Sequence, residues 1–96
     1  MHARVISFTI QPGKTNEAIK FFQDYLPKME KQKGFKGLFE LTNRDTGKWM
    51  HITLWNTEAD ITVAMNTSDY REALAKMAPF FAGPPNMEQY EVTLKA

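Results

Sequence analysis

His51 is the residue best equipped for chemistry in this 96-residue chain. An imidazole is the one side chain whose ordinary titration falls near neutrality, so it can take and return a proton under physiological conditions. It stands in the run Trp49, Met50, His51, Ile52, Thr53, Leu54, Trp55. On a strand, alternate side chains point to opposite faces, so this run sets two indoles, the imidazole and a hydroxyl side by side. Two readings stand for each principal residue. His51 either works on a substrate or fills a structural place in an interface or on a backbone carbonyl. Trp55 either plugs the core or walls a pocket for a flat aromatic ligand. Phe8, Phe22 and Met65 are further candidate lining, methionine adapting readily to irregular ligands, although their spacing also suits ordinary core. Thr53 is the next polar group on the His51 surface, and no second acid or base is apparent there.

Other chemistries lack their parts. Neither His2 nor His51 has a partner at metal-ligand spacing, and no acidic calcium loop is present. Ser7 and Ser68 sit in no nucleophile elbow, and the five glycines form no phosphate-cradling loop. No cysteine is available as nucleophile, metal ligand or disulfide partner. The expectation is therefore a site that works without metal, haem or flavin. A net charge of +1 with interspersed signs gives no electrostatic footing for nucleic acid or a membrane surface. Lys28, Lys31, Lys33 and Lys36 make the one local excess, where a helix C-terminus attracts cations. Lys33 to Phe39 superficially matches an RNA-binding string, but with an extra residue and on the second strand instead of the third. No apolar run approaches the roughly 18 residues of a membrane span, and the N-terminus has no signal-peptide pattern, so a cytoplasmic setting is expected.

The elements that must hold His51 follow from patterning. Residues 2–10 read as a strand stopped by Pro12 and Gly13. Thr15 or Asn16 caps a helix that buries Ala18, Phe22, Tyr25, Leu26 and Met29, kinked or split by Pro27 and ended by Gly34. Phe35 to Thr42 and Lys48 to Trp55 form a hairpin around the turn residues Asn43 to Gly47. Thr57, with Asp60 three residues on, opens a helix burying Ile61, Ala64 and Met65. Ser68 or Asp69 restarts one that turns Tyr70, Ala73, Leu74 and Met77 inward and ends near Pro79. Gly83, Pro84 and Pro85 lead stiffly to a last strand over Met87 to Lys95. The order β-α-β-β-α-β is that of an α+β, ferredoxin-like domain over residues 1–96, with two helices on one face of a four-stranded antiparallel sheet. The other face, with Val5 and Phe35, is left open, so a homodimer closed through two such faces is expected, with the last strand as an arm reaching its partner.

The succession Leu54-Trp55-Asn56-Thr57-Glu58-Ala59, then Ser68-Asp69-Tyr70, Ala78-Pro79-Phe80, Gly83-Pro84-Pro85 and Tyr90-Glu91-Val92 resembles the antibiotic biosynthesis monooxygenase family of dimeric α+β barrels. The likeness covers nearly the whole chain, from the first strand, ending in Gln11-Pro12-Gly13, to Tyr90-Glu91-Val92. It implies a pocket in each subunit between sheet and helices, with Trp55 at the position of a tryptophan found in quinone-forming members. Such members oxidise anthrones and quinols with dioxygen and no cofactor. In that setting Trp55, Phe8 and Phe22 would sandwich the ring, His51 would take or relay the proton, and Tyr70 would bond a phenolic oxygen. The haem-degrading branch carries functional Asn, Trp and His at positions that here fall on Ile6, Met65 and Ala75, which supply no iron ligand. His51 on the helix side would be the one substitute. Reaction type does not travel with a fold, so two alternatives stay open: a barrel that binds a small apolar ligand without turning it over, and an isomerase.

Overall fold

The computed structural model describes the whole chain, Met1–Ala96. Its elements are β1 (His2–Thr9), α1 (Thr15–Glu30), β2 (Phe35–Thr42), β3 (Lys48–Trp55), α2 (Glu58–Met65), α3 (Ser68–Met77), a 3-10 turn at Ala78–Phe80 and β4 (Asn86–Glu91). The strands form one antiparallel sheet in the order β2-β3-β1-β4. This is the expected ferredoxin-like α+β plan, and no helix is long and apolar enough to cross a membrane.

Local chemistry explains where the elements start and stop. The β2–β3 turn is tied by Asn43, whose side-chain oxygen accepts from the amides of Asp45 and Thr46 at 3.0 and 3.2 Å, with Gly47 at a φ of 76°. Thr57 caps α2 by accepting the Asp60 amide at 3.1 Å. Thr67 both closes α2 and opens α3: its hydroxyl donates to the Ala64 carbonyl at 2.9 Å and accepts the Tyr70 amide at 3.1 Å. The α3 cap is thus Thr67, one residue before the expected Ser68. α1 also departs from expectation. Its cap position is Lys14, with no side-chain bond, and it continues through Pro27 without splitting, since a proline late in a helix removes a single backbone donor.

Gly34 carries a φ of 82°, and a Cβ there would overlap the Asp60 carboxylate, so the α1–β2 connection presses directly on the first turn of α2. β4 ends at Glu91, short of the expected Lys95, and pairs with β1 of its own sheet from Ser7↔Asn86 to His2↔Glu91. The strand expected to swing out as an arm is instead paired within its own subunit.

The helices cover one face of the sheet. Trp49, His51, Thr53 and Trp55 are all buried on that side, while Met50, Ile52 and Leu54 alternate to the other. Phe35 is also on the helix side, edge-on to Trp55 at 5.5 Å between ring centres, and not on the open face beside Val5. The register shift between Phe35 and Gly37 explains the change, because one extra residue on a strand reverses which way its neighbours point. Two apolar clusters form the core. One gathers Ile6, Phe8, Ile10, Ala18, Phe22, Trp49 and Met77; the other gathers Trp55, Ile61 and Ala64. Along β3 the two are separated by His51 and Thr53.

Candidate functional site

A cavity of about 30 Å³ lies in that gap, lined among others by His51, Thr53, Trp55, Met65 and Tyr70. Cross-strand register positions the imidazole. Glu40 on β2 is the direct partner of His51 on β3, and both point to the helix side. One Glu40 oxygen lies 2.6 Å from His51 Nδ1; the other accepts the indole N–H of Trp49 at 2.8 Å. An ionised carboxylate can only accept, so Nδ1 carries the hydrogen and Nε2 is the ring nitrogen left free. Phe22 of α1 stacks on the imidazole at 5.0 Å and 28°, fixing the ring plane. A carboxylate that orients an imidazole by one nitrogen and leaves the other bare makes a positioned base.

Glu40 is a second acid–base group on the His51 surface, one not apparent from the β3 residues alone. Its signal was present: if Thr42 pairs with Trp49 across the Asn43–Gly47 turn, counting back two residues sets Glu40 opposite His51.

Trp55 is fully buried, and its indole N–H donates to Thr53 Oγ1 at 2.9 Å, which in turn lies 3.5 Å from the Arg4 carbonyl. Its polar edge is therefore spent within the protein, and the cavity meets it as an apolar wall. Phe22 and Met65 line the same cavity. Phe8 does not: it packs in the other cluster, stacked on Trp49 at 5.7 Å and against Phe81 at 4.5 Å. Ile6 and Met65, two of the three positions compared with the haem-degrading branch, line the cavity, whereas Ala75 is exposed on α3. His51 does occupy the helix side, yet the enclosed space, enough for about two water-sized spheres, is far smaller than a macrocycle.

The cavity also has polar lining that the protein leaves underused. The Tyr70 hydroxyl is buried without any hydrogen-bond partner. Tyr25, also a lining residue, has its phenol pushed up from the ordinary value, first by burial and then by the Asp69 carboxylate and Tyr70, so it is held neutral as a donor. Arg4 lies across the Tyr70 ring with its guanidinium carbon 5.2 Å from the ring centre.

The model of one family, antibiotic biosynthesis monooxygenase, matches residues 1–76. No curated protein matches the chain. Solved structures share the fold. SnoaB, a cofactor-independent oxygenase from Streptomyces nogalater, superposes with a TM-score of 0.84 at 15% identity over 98% of this chain and 94% of that one. A candidate antibiotic biosynthesis monooxygenase from Caulobacter crescentus CB15 gives 0.83 at 22% identity over 97% and 90%. Rv0793 from Mycobacterium tuberculosis gives 0.82 at 10% identity over 99% and 97%. At these identities the structural likeness speaks for the fold alone.

Proposed function

Because the chain belongs to the antibiotic biosynthesis monooxygenase family, we propose that its cavity oxidises a small electron-rich aromatic, a quinol, phenol or anthrone-like compound, with dioxygen and no cofactor. The observation that carries the reading is the Glu40–His51 pair at 2.6 Å, whose imidazole lines an apolar cavity. His51 Nε2 takes the phenolic or benzylic proton, and Glu40 stabilises the imidazolium that forms. The substrate carbanion passes an electron to dioxygen, the two radicals couple as a peroxide at the ring carbon, and loss of water leaves the carbonyl. For an anthrone the balance is substrate plus dioxygen to quinone plus water. Trp55, Phe22 and Met65 exclude bulk water and contact the ring, and Tyr70 donates to its oxygen. A ring reaches His51 once the flexible thioethers of Met29, Met65 and Met77, all lining the cavity, swing aside.

The reading extends to a homodimer closed through the uncovered sheet face. Phe39, Leu41 and Met50 stand there 56%, 48% and 41% exposed, a patch that sheet-to-sheet association would bury. Sedimentation at low micromolar concentration is expected to give a dimer; a stable folded monomer would remove this part. A cytoplasmic setting fits the same picture.

Oxygen uptake by the purified protein with a panel of hydroquinones and anthrones tests the chemistry. Consumption of one dioxygen per quinone formed, without added metal or flavin, is the expected result. The small enclosed volume favours the alternative, a barrel that only binds a small apolar ligand. Tight binding with no oxygen consumed would establish that alternative, and turnover under nitrogen would point to an isomerase.

A further inference from the structure

The polar groups that line the cavity differ in how they are satisfied. Around His51 each nitrogen or oxygen that positions the imidazole has a partner within the protein. Arg4 has no partner of matching charge. The five ion pairs of the chain all use other residues. Beyond the Tyr70 ring, its guanidinium meets only the Met87 sulfur, at 3.2 Å, a weak acceptor. A guanidinium has five N–H donors in a planar fork that matches a carboxylate, and here its half-buried residue lines a cavity. Every residue of β4, the strand next to it, is exposed. The helical layer therefore stops short of β4, and Arg4 on β1 stands where the cavity meets solvent. Tyr70, whose ring the guanidinium covers, has its hydroxyl buried and unpartnered, a second donor waiting for an oxygen, and burying such a group empty is costly.

We propose that Arg4 and Tyr70 form a carboxylate-binding subsite, so that the ligand of this cavity is an aromatic acid whose carboxylate is held at the β4 side while its ring lies toward His51. The inference deepens the reading of the cavity as an aromatic-oxidising site and adds a chemical class to its substrate. The two donors differ in kind. Arg4 supplies charge and a two-pronged contact, and Tyr70 supplies a neutral hydrogen bond from the wall, which the raised phenol of Tyr25 backs with another neutral donor. The guanidinium already rests over the Tyr70 ring, so part of its freedom is lost before a ligand binds.

Calorimetric titration of the full-length protein with 2,5-dihydroxybenzoate and with hydroquinone, which differ by the carboxylate alone, tests this separately from turnover. The wild-type protein is expected to prefer the acid by roughly 10- to 100-fold, the range of a charge-assisted hydrogen-bonded contact. Arg4→Met should abolish the preference while leaving hydroquinone affinity within about twofold, and Arg4→Lys should keep part of it, because a lysine retains the charge without the fork. Tyr70→Phe should lower affinity for the acid by a smaller factor. Circular dichroism melts confirm that each variant is folded. Equal affinity for the two ligands, no binding of the acid, or a preference that survives Arg4→Met would each overturn the subsite and leave the oxygenase reading standing. An Arg4-dependent preference without oxygen uptake would uphold the subsite and remove the oxygenase reading.

Discussion

The two indoles of β3 are six residues apart on the same face and equally buried, yet they are embedded in different ways. Trp49 lies among aromatic rings, and its N–H is one of the two donors that hold Glu40. Trp55 belongs to a smaller cluster with Ile61 and Ala64, spends its N–H on Thr53 and shows the cavity an apolar wall. One indole holds the carboxylate that holds the imidazole; the other walls the cavity the imidazole lines. The difference teaches that burial alone does not distinguish a core residue from a site residue. What distinguishes them is where the polar edge is spent and which surface remains.

The sharpest test of this division starts at the residue between the two indoles. His51→Ala should lower any turnover by roughly 10²- to 10⁴-fold with little change in melting temperature. Glu40→Gln, which still accepts from Trp49 but no longer stabilises the imidazolium, should cost a smaller factor of roughly 10- to 100-fold, by analogy with the loss of orienting partners around other histidines. A His51→Ala enzyme as active as the wild type would leave β3 a purely structural strand.

Next is Trp55→Ala, which should destabilise the fold by roughly 3 to 5 kcal/mol in chemical denaturation and also weaken ligand binding, since a buried indole is lost from the cavity wall. If stability falls but affinity does not, Trp55 is core and no more. Tyr70→Phe has the opposite sign. It removes a buried hydroxyl with no partner, so the unliganded protein should gain about 1 kcal/mol, read as a rise of several degrees in melting temperature, while binding of an oxygen-bearing ligand weakens. The smallest effect is at Tyr25. Its phenol is raised in the fold, so above the ordinary tyrosine range of about 10 the unfolded chain releases this proton more readily than the native one. Stability from this group is complete below that range and is lost as pH rises through the higher native value. Denaturation series at alkaline pH should show a slope that Tyr25→Phe flattens.

Much of this arrangement was readable before any coordinates. Alternation along Trp49–Trp55 put the imidazole, the hydroxyl and both indoles on one face, because strand geometry leaves no other choice. Thr57 and the restart near Ser68 marked a divided second crossover. What was not readable depends on distances between elements. The side taken by Phe35 turns on an irregularity next to Lys36 that no propensity announces. Phe8 falls into the Trp49 cluster because its cross-strand partner is Trp49, at the far end of β3 from Trp55. Glu40 lay within reach of a register count, but in isolation a glutamate on a hairpin strand reads as an exposed edge charge. The unpartnered hydroxyl of Tyr70 is a property of its surroundings and leaves no mark in the chain.

The close approach of Gly34 to Asp60 bears on how this domain tolerates mutation. The glycines divide by what surrounds them: a side chain at Gly83 would meet open space and one at Gly37 an ordinary contact, while Gly34 has both a φ of 82° and no room. A library randomising all of them should recover many residues at 83, several at 37 and essentially glycine alone at 34. A compensating Asp60→Gly would restore the volume but not the backbone conformation. The junction of the two crossovers is thus a position where sequence drift stops, although it lies outside the cavity and touches no reacting atom.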